Sequence, residues 1–170
     1  MVCSRRALGL ALETLRSFHP YEEPAVDVYE LVGKPRRDTG AGRRLTLDHP
    51  ATLDDLADRL KKHLGVSAVQ LAAAGKTGGK AKVTRIGIVP GAGASLAEAA
   101  RLDGCEVFVT GEMKHHDVLA CVGSGMGVIL GGHTQTERGY LPRLAKRLEE
   151  ELPRVRALVS EKDREPFVLR

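Results

Sequence analysis

Residues 83–137 read VTRIGIV-PGAGASLAEAARLDGC-EVFVT-GEMKHHDVLACVGSGM-GVIL-GGHTQTE. Three short apolar runs, at 83–89, 106–110 and 127–130, are rich in Val and Ile, and each leads into a loop containing glycine. Helical patterns lie between them, at about 94–102 and 113–121. Apolar runs of this length without polar alternation suit strands covered on both faces. Strand–helix alternation predicts parallel strands joined by crossover helices. The expected fold is α/β: a three-layer sheet with helices on both faces and largely parallel βα units in the C-terminal half.

Working outward, residues 53–64 predict an amphipathic helix. Leu53, Leu56, Ala57, Leu60 and Leu64 form its apolar stripe, Thr52 stands at the N-cap, and Asp54 and Asp55 fall in the first turn. Lys61, Lys62 and Gly65 mark its end. Strands are predicted at 43–47 and 66–72, with a turn at 75–82. A further amphipathic helix is predicted at about 140–152 and a last strand at 155–159. Toward the N-terminus, residues 4–17 carry Leu8, Leu12 and Leu15 on one helical stripe, and His19-Pro20 stops that helix. Residues 25–31 read as a strand, a short helix–strand piece with the preceding helix. The loop at 33–42, GKPRRDTGAG, is the best boundary between residues 1–32 and a main body at 33–170.

The 170 residues are 42% hydrophobic and 28% charged, a globular balance that excludes a disordered or collagen-like chain. The net charge of +4 is spread along the chain without a basic tail, and there is no Trp. Nucleic acid is therefore not an expected partner. Three cysteines without a CxxC pattern suit a reducing compartment, with Cys105 and Cys121 as small buried hydrophobes. The apolar run before Glu13 is too short for a signal peptide. The longest charge-free run, 118–136, is broken by glycines and polar residues, so no membrane span is expected. The expected location is the cytoplasm.

In an open parallel sheet, ligands gather at the carboxyl ends of strands. Three predicted strands end in PGAGAS, GEMKHHD and GGHTQTE, all on one sheet edge, and two of these loops place His beside a carboxylate. His133 and Glu137 are four residues apart, a spacing that aims an imidazole and a carboxylate at one ion on a helical turn and suits Zn, Mn or Fe. The same Thr134-Gln-Thr-Glu137 also matches a capping box, in which Glu137 would only satisfy a backbone N–H. Glu112 and His116 suit ligands, acid–base groups or supports for another imidazole, or a solvated first helical turn. His19 and Glu23 share the spacing, but Pro20 and Pro24 keep them off a regular helix. PGAGAS has the look of a phosphate-cradling turn but lacks the third glycine of GxGxxG and any Walker lysine; a tight turn with Ser95 near the helix start fits better. His49, His63 and His115 read as surface residues.

Three segments together resemble one family. These are His19-Pro-Tyr-Glu-Glu-Pro-Ala25, Val109-Thr-Gly-Glu112 with His116-Asp117, and Gly132-His133-Thr-Gln-Thr-Glu137, with Glu165-Pro-Phe167 near the end. The chain is similar to the dinuclear-metal-centre hexameric family known as GTP cyclohydrolase I type 2, or NGG-one-interacting-factor-three-like. The resemblance implies a homo-oligomeric, hexameric protein with divalent metal ions as cofactors. It implies His133 and Glu137 as metal ligands, Glu112 and His116 lining the same cleft, and a nucleotide as possible substrate of a hydrolase. The family pattern also includes an N-terminal half with a His-His-Pro segment, which this sequence does not contain. Residues 1–32 would then be a remnant of the family's inserted domain, and the chain a truncated or split C-terminal portion whose missing half another chain supplies. The alternative is a non-catalytic metal-binding or protein-interaction module.

Overall fold

The computed structural model describes residues 2–31, 39–76 and 78–167. Most of the loop expected at 33–42 lies outside them. The chain forms two compact units, Met1–Arg36 and Arg37–Arg170.

In the first unit, a short 3-10 turn leads into α1 (Leu8–Phe18), which ends at His19. Its half-buried side is the predicted leucine stripe, and none of its residues is fully buried. The strand expected at 25–31 does not form. Those residues are extended, but among the described residues they pair with no other strand, and Val28, Tyr29 and Leu31 are exposed. A β-prone sequence without a ladder partner remains an isolated extended segment.

The second unit contains β1 (Arg43–Thr52), α2 (Leu53–Leu64), β2 (Gln70–Ala72), β3 (Lys82–Ala92), α3 (Ala97–Leu102) and β4 (Val107–Glu112). It continues with α4 (His115–Gly123), β5 (Gly127–Leu130), α5 (His133–Arg138) and α6 (Leu141–Glu151). The five strands are ordered β1-β3-β4-β5-β2. As expected, the middle three run parallel. Both edge strands run antiparallel to their neighbours, which the sequence pattern did not indicate.

The alternation of side chains along β4 and β5 divides the core in two. Val107, Val109 and Ile129 pack on one face with Leu53, Leu56 and Ala57 of α2. Phe108 and Val128 pack on the other with Ala97 of α3, Cys121 of α4, Cys105 and Met126. Helices thus cover both faces, and the α/β class is as expected. Burial pushes both buried thiols upward, while Cys3 is exposed. The predicted cap of α2 is a complete capping box: Asp55 N–H donates to the Thr52 hydroxyl, and Thr52 N–H donates to the Asp55 carboxylate.

The strand expected at 155–159 is also absent. The Ala157 N–H donates to the Glu149 carboxylate of α6 at 3.1 Å, which ties this segment to the helix rather than to a sheet edge. The strand expected at 66–72 shortens to three residues. No helix is long and apolar enough to cross a membrane among the described residues.

Glu106 joins the starts of β3 and β4. One carboxylate oxygen accepts from the N–H groups of Thr84 and Arg85, both at 2.9 Å, and from the Thr84 hydroxyl at 3.0 Å. Burial alone would raise this carboxyl, but the three donors outweigh it and hold it below the usual range. A depressed carboxyl contributes stability above its unfolded pKa and loses it as pH falls through its folded pKa. Glu106→Gln is expected to cost about 1 kcal/mol at pH 7, allowing for the group's partial exposure. Urea unfolding of both proteins should show that difference shrinking below about pH 4.3, the ordinary Glu value. A gap that stays constant down to pH 2 would contradict this account.

Candidate functional site

The carboxyl ends of β3, β4 and β5 meet at α5. The register pairs Thr110 with Leu130, and the ladder continues past the strand: Gly131 N–H donates to Thr110 C=O and Gly132 N–H to Gly111 C=O, both at 2.9 Å. This continuation brings His133, the first residue of α5, beside Glu112. The His133 Nδ1–H donates to the Glu112 carboxylate at 2.9 Å. On the other side of the ring, Nε2 lies 3.4 Å from Glu137 Oε2, one helical turn along. The hydrogen bond to Glu112 is the main cause holding the His133 imidazole above its ordinary pKa; burial opposes it, and the charge of Glu137 adds to it.

The capping-box alternative for Thr134 and Glu137 does not form. α5 begins at His133 with Gly132 at its N-cap and no side-chain cap, so Thr134 is already inside the helix. Glu137 is thereby left to face the histidine.

Two glycines permit this docking. Gly91 has φ +67°, and a Cβ there would collide with the Glu137 carboxylate. A Cβ at Gly111 would stand 2.7 Å from Gly91 O, 2.7 Å from Thr136 Oγ1 and 2.8 Å from His133 Cα. Two threonines hold the turn in place. Thr110, 1% exposed, accepts from Gly93 N–H at 3.0 Å and donates to Gly91 C=O at 2.9 Å. The Thr136 hydroxyl accepts from Gly91 N–H at 3.0 Å and is 2.9 Å from the carbonyls of Gly132 and His133.

The amides of Gly91 and Gly93 are therefore occupied, which leaves neither to cradle a phosphate. Ser95 falls in a short 3-10 turn that precedes α3. Sequence reading missed both threonines. Thr110 had a signal, as the one polar residue in the apolar run VFVT of a buried strand, since a buried hydroxyl requires partners.

The four expected site residues separate into a group of three and one apart. Glu112, His133 and Glu137 converge. His116 sits in the first turn of α4 with its side chain 75% exposed and its Nε2 3.5 Å from Asp117 Oδ1. His49, His63 and His115 are exposed.

The donor chemistry fits part of a metal shell. A carboxylate on Nδ1 sets the tautomer that leaves Nε2 free as a ligand, and Glu137 lies on that same side. Imidazole plus carboxylate suits Zn, Mn or Fe. Among the described residues, no group of three or more His, Cys, Asp or Glu side chains is arranged to hold an ion by itself.

The chain is similar to known proteins in sequence and in fold. The NIF3-like protein 1 of Homo sapiens is 32% identical over 167 residues, covering 97% of this chain and 43% of that protein. A Staphylococcus aureus GTP cyclohydrolase 1 type 2 homolog is 33% identical over 119 residues, covering 70% of this chain and 31% of that protein. A Staphylococcus aureus crystal structure superposes with a TM-score of 0.74 at 27% identity, covering 99% of this chain and 54% of the other. The chain thus spans about half the length, or less, of these relatives. The model of the Duf34/NIF3 (NGG1p interacting factor 3) family matches residues 4–166. With that match running across both units and through the strand-end residues just described, the chain belongs to the Duf34/NIF3 family.

Proposed function

We propose that this chain contributes two ligands, His133 and Glu137, to a divalent-metal centre of a hydrolase acting on a nucleotide or another phosphate-containing substrate. The observation that carries the reading is the position of His133, whose Nδ1 is bonded to Glu112 while its Nε2 faces Glu137 at the open end of a parallel sheet. When bound, a metal at such a centre supplies activated water and charge stabilisation at a developing oxyanion. In this reading Glu112 orients the ring, and His116 is the exposed acid–base group. The GTP cyclohydrolase name carried by a relative supports a nucleotide substrate. Remaining ligands come from another segment or subunit, in keeping with a homo-oligomer, a hexamer in the fullest form of the proposal.

Metal analysis after dialysis tests the assignment. The chain is expected to retain Zn, Mn or Fe, and His133→Ala and Glu137→Ala to lose it. Glu112→Gln should weaken metal affinity about 10- to 100-fold, the usual cost of losing an outer carboxylate on a ligating histidine. His116→Ala should retain the metal and lose turnover. Equal metal content in the wild type and a folded His133→Ala would remove the proposal. A second reading, a metal-binding module without catalysis, is favoured by the small donor set among the described residues. Stoichiometric metal with no turnover of GTP would select it.

A further inference from the structure

The last helix, α6, has a strongly amphipathic sequence but no buried residue. Leu141, Leu144, Leu148 and Leu152 fall on one stripe at helical spacing, with Ala145 beside them. Leu141, Leu148 and Leu152 are 39%, 38% and 50% exposed, and Leu144 and Ala145 are half-buried. By contrast α2, with a similar stripe, buries Leu53, Leu56 and Ala57 in the core. A helix of this length gains most of its stability from packing such a face, so the α6 stripe calls for further cover.

The charges of α6 point to what that cover is. Arg143, Lys146 and Arg147 lie in its N-terminal half, and Glu149, Glu150 and Glu151 in its last turn. That order is the reverse of the one that favours a lone helix, whose C-terminal end is negative. α2 has the favourable order, with Asp54 and Asp55 first and Lys61 and Lys62 last. Pairing within α6 compensates little. The Lys146–Glu150 and Arg147–Glu151 pairs, at 3.7 and 3.8 Å, are exposed and run in the weaker direction, base before acid. Glu149 accepts from the Ala157 N–H, and among the described residues Arg154 and Arg156 pair with none of the three glutamates.

We propose that the leucine face of α6 docks against α6 of a second copy of this chain, antiparallel, in a two-fold dimer. Antiparallel pairing sets the Arg143–Arg147 half of each helix along the Glu149–Glu151 half of the other, and each negative helix end beside a positive one. Helical spacing puts Glu149 on one border of the stripe and Glu151 on the other, where a facing helix can reach them. The charge pattern thus meets its own complement twice, as two-fold symmetry requires of a surface that binds itself. A parallel pair would set glutamates against glutamates, and a uniformly acidic or basic partner would be repelled by one half. A stripe this short buries less than the ~1,200 Å² of a stable interface, so the dimer is expected to be reversible. The interface lies on α6 alone, so it goes beyond the metal reading and does not rest on it.

Sedimentation velocity of the full chain over a concentration series tests the assignment. The expected result is a reversible rise from the mass of one chain to that of two, with amide shifts over residues 141–152 following the same curve. Leu148→Asp should weaken the dimer about tenfold or more, since symmetry places the new charge in the interface twice. Two charge variants keep the test independent of any part Leu148 has in folding. Lys146→Glu/Arg147→Glu makes the helix acidic and Glu150→Lys/Glu151→Lys makes it basic, and both leave Glu149 to bond Ala157. Each alone should dimerise about tenfold more weakly than the wild type, and mixing the two should restore a dimer with one chain of each. His133→Ala/Glu137→Ala should dimerise as the wild type does, which separates this interface from the metal centre. A single-chain mass at every concentration, the result if a different protein covers α6, overturns the proposal. So does a dimer that Leu148→Asp leaves intact, one lost with His133→Ala/Glu137→Ala, or a failure of the two charge variants to pair on mixing.

Discussion

Phe108→Ala is expected to lower the unfolding free energy by about 3–5 kcal/mol, the range for emptying a fully buried aromatic site. The ring is completely buried on β4, the middle strand of the sheet, and packs with Val89, Ala97, Cys105, Cys121, Met126 and Val128. Neighbouring groups have little room to collapse into the gap. A Cβ added at Gly87 would stand 3.1 Å from the ring, so the β3 backbone already lies close against it. The ring also borders a pocket of about 250 Å³, which its removal would enlarge. A domain of this size holds about 5–15 kcal/mol in total, so the variant would lose a large part of its stability. Urea unfolding with matched m-values is the measurement. A loss under about 1 kcal/mol, the size of an ordinary point mutation, would mean that β4 is not the centre of the sheet.

The second large effect belongs to Gly111→Ala, which joins stability to the site. The new Cβ would meet Gly91 O, Thr136 Oγ1 and His133 Cα at 2.7–2.8 Å. Two of these atoms are backbone, and the third belongs to a hydroxyl held at both ends, so no flexible side chain can yield. Either the Gly91 turn or α5 must move, at a cost of about 1–3 kcal/mol, the usual range for overpacking. Moving α5 separates His133 from Glu112. Faster amide exchange across 131–138, and loss of the metal that we propose His133 and Glu137 hold, should therefore accompany the lower melting temperature. Gly123→Ala is the control: nothing lies within 4 Å of its would-be Cβ in α4. That change is expected to be neutral or to stabilise by up to about 1 kcal/mol. Equal melting temperatures for the two variants would show that α5 does not seat on Gly111.

How much of this was legible beforehand depended on whether the information was local. The capping box at Thr52 and the stripe of α2 were legible because a helix closes its contacts within a few residues. The β3, β4 and β5 cores were legible because strands covered on both faces must be apolar throughout. Residues 25–31 and 155–159 have the same β-rich composition and form no strand. A strand exists only as a pair, and the composition of one segment says nothing about whether a neighbour is available. The direction of β1 and β2 was hidden for the same reason.

The α/β class and the parallel middle of the sheet were carried by sequence pattern alone; the four-residue spacing made His133 and Glu137 candidates for one helical face, but a capping box stayed open until the fold started α5 at His133. That Glu112, 21 residues from His133, is the group bonded to its Nδ1 followed from the fold and not from local spacing. The fold alone showed that Thr110 and Thr136 tie down the Gly91 turn and that His116 stands apart. The physical reason is the β4–β5 register. Extending the ladder through Gly131 and Gly132 sets which residue His133 meets, and a shift of one residue would have turned Glu112 to the opposite face.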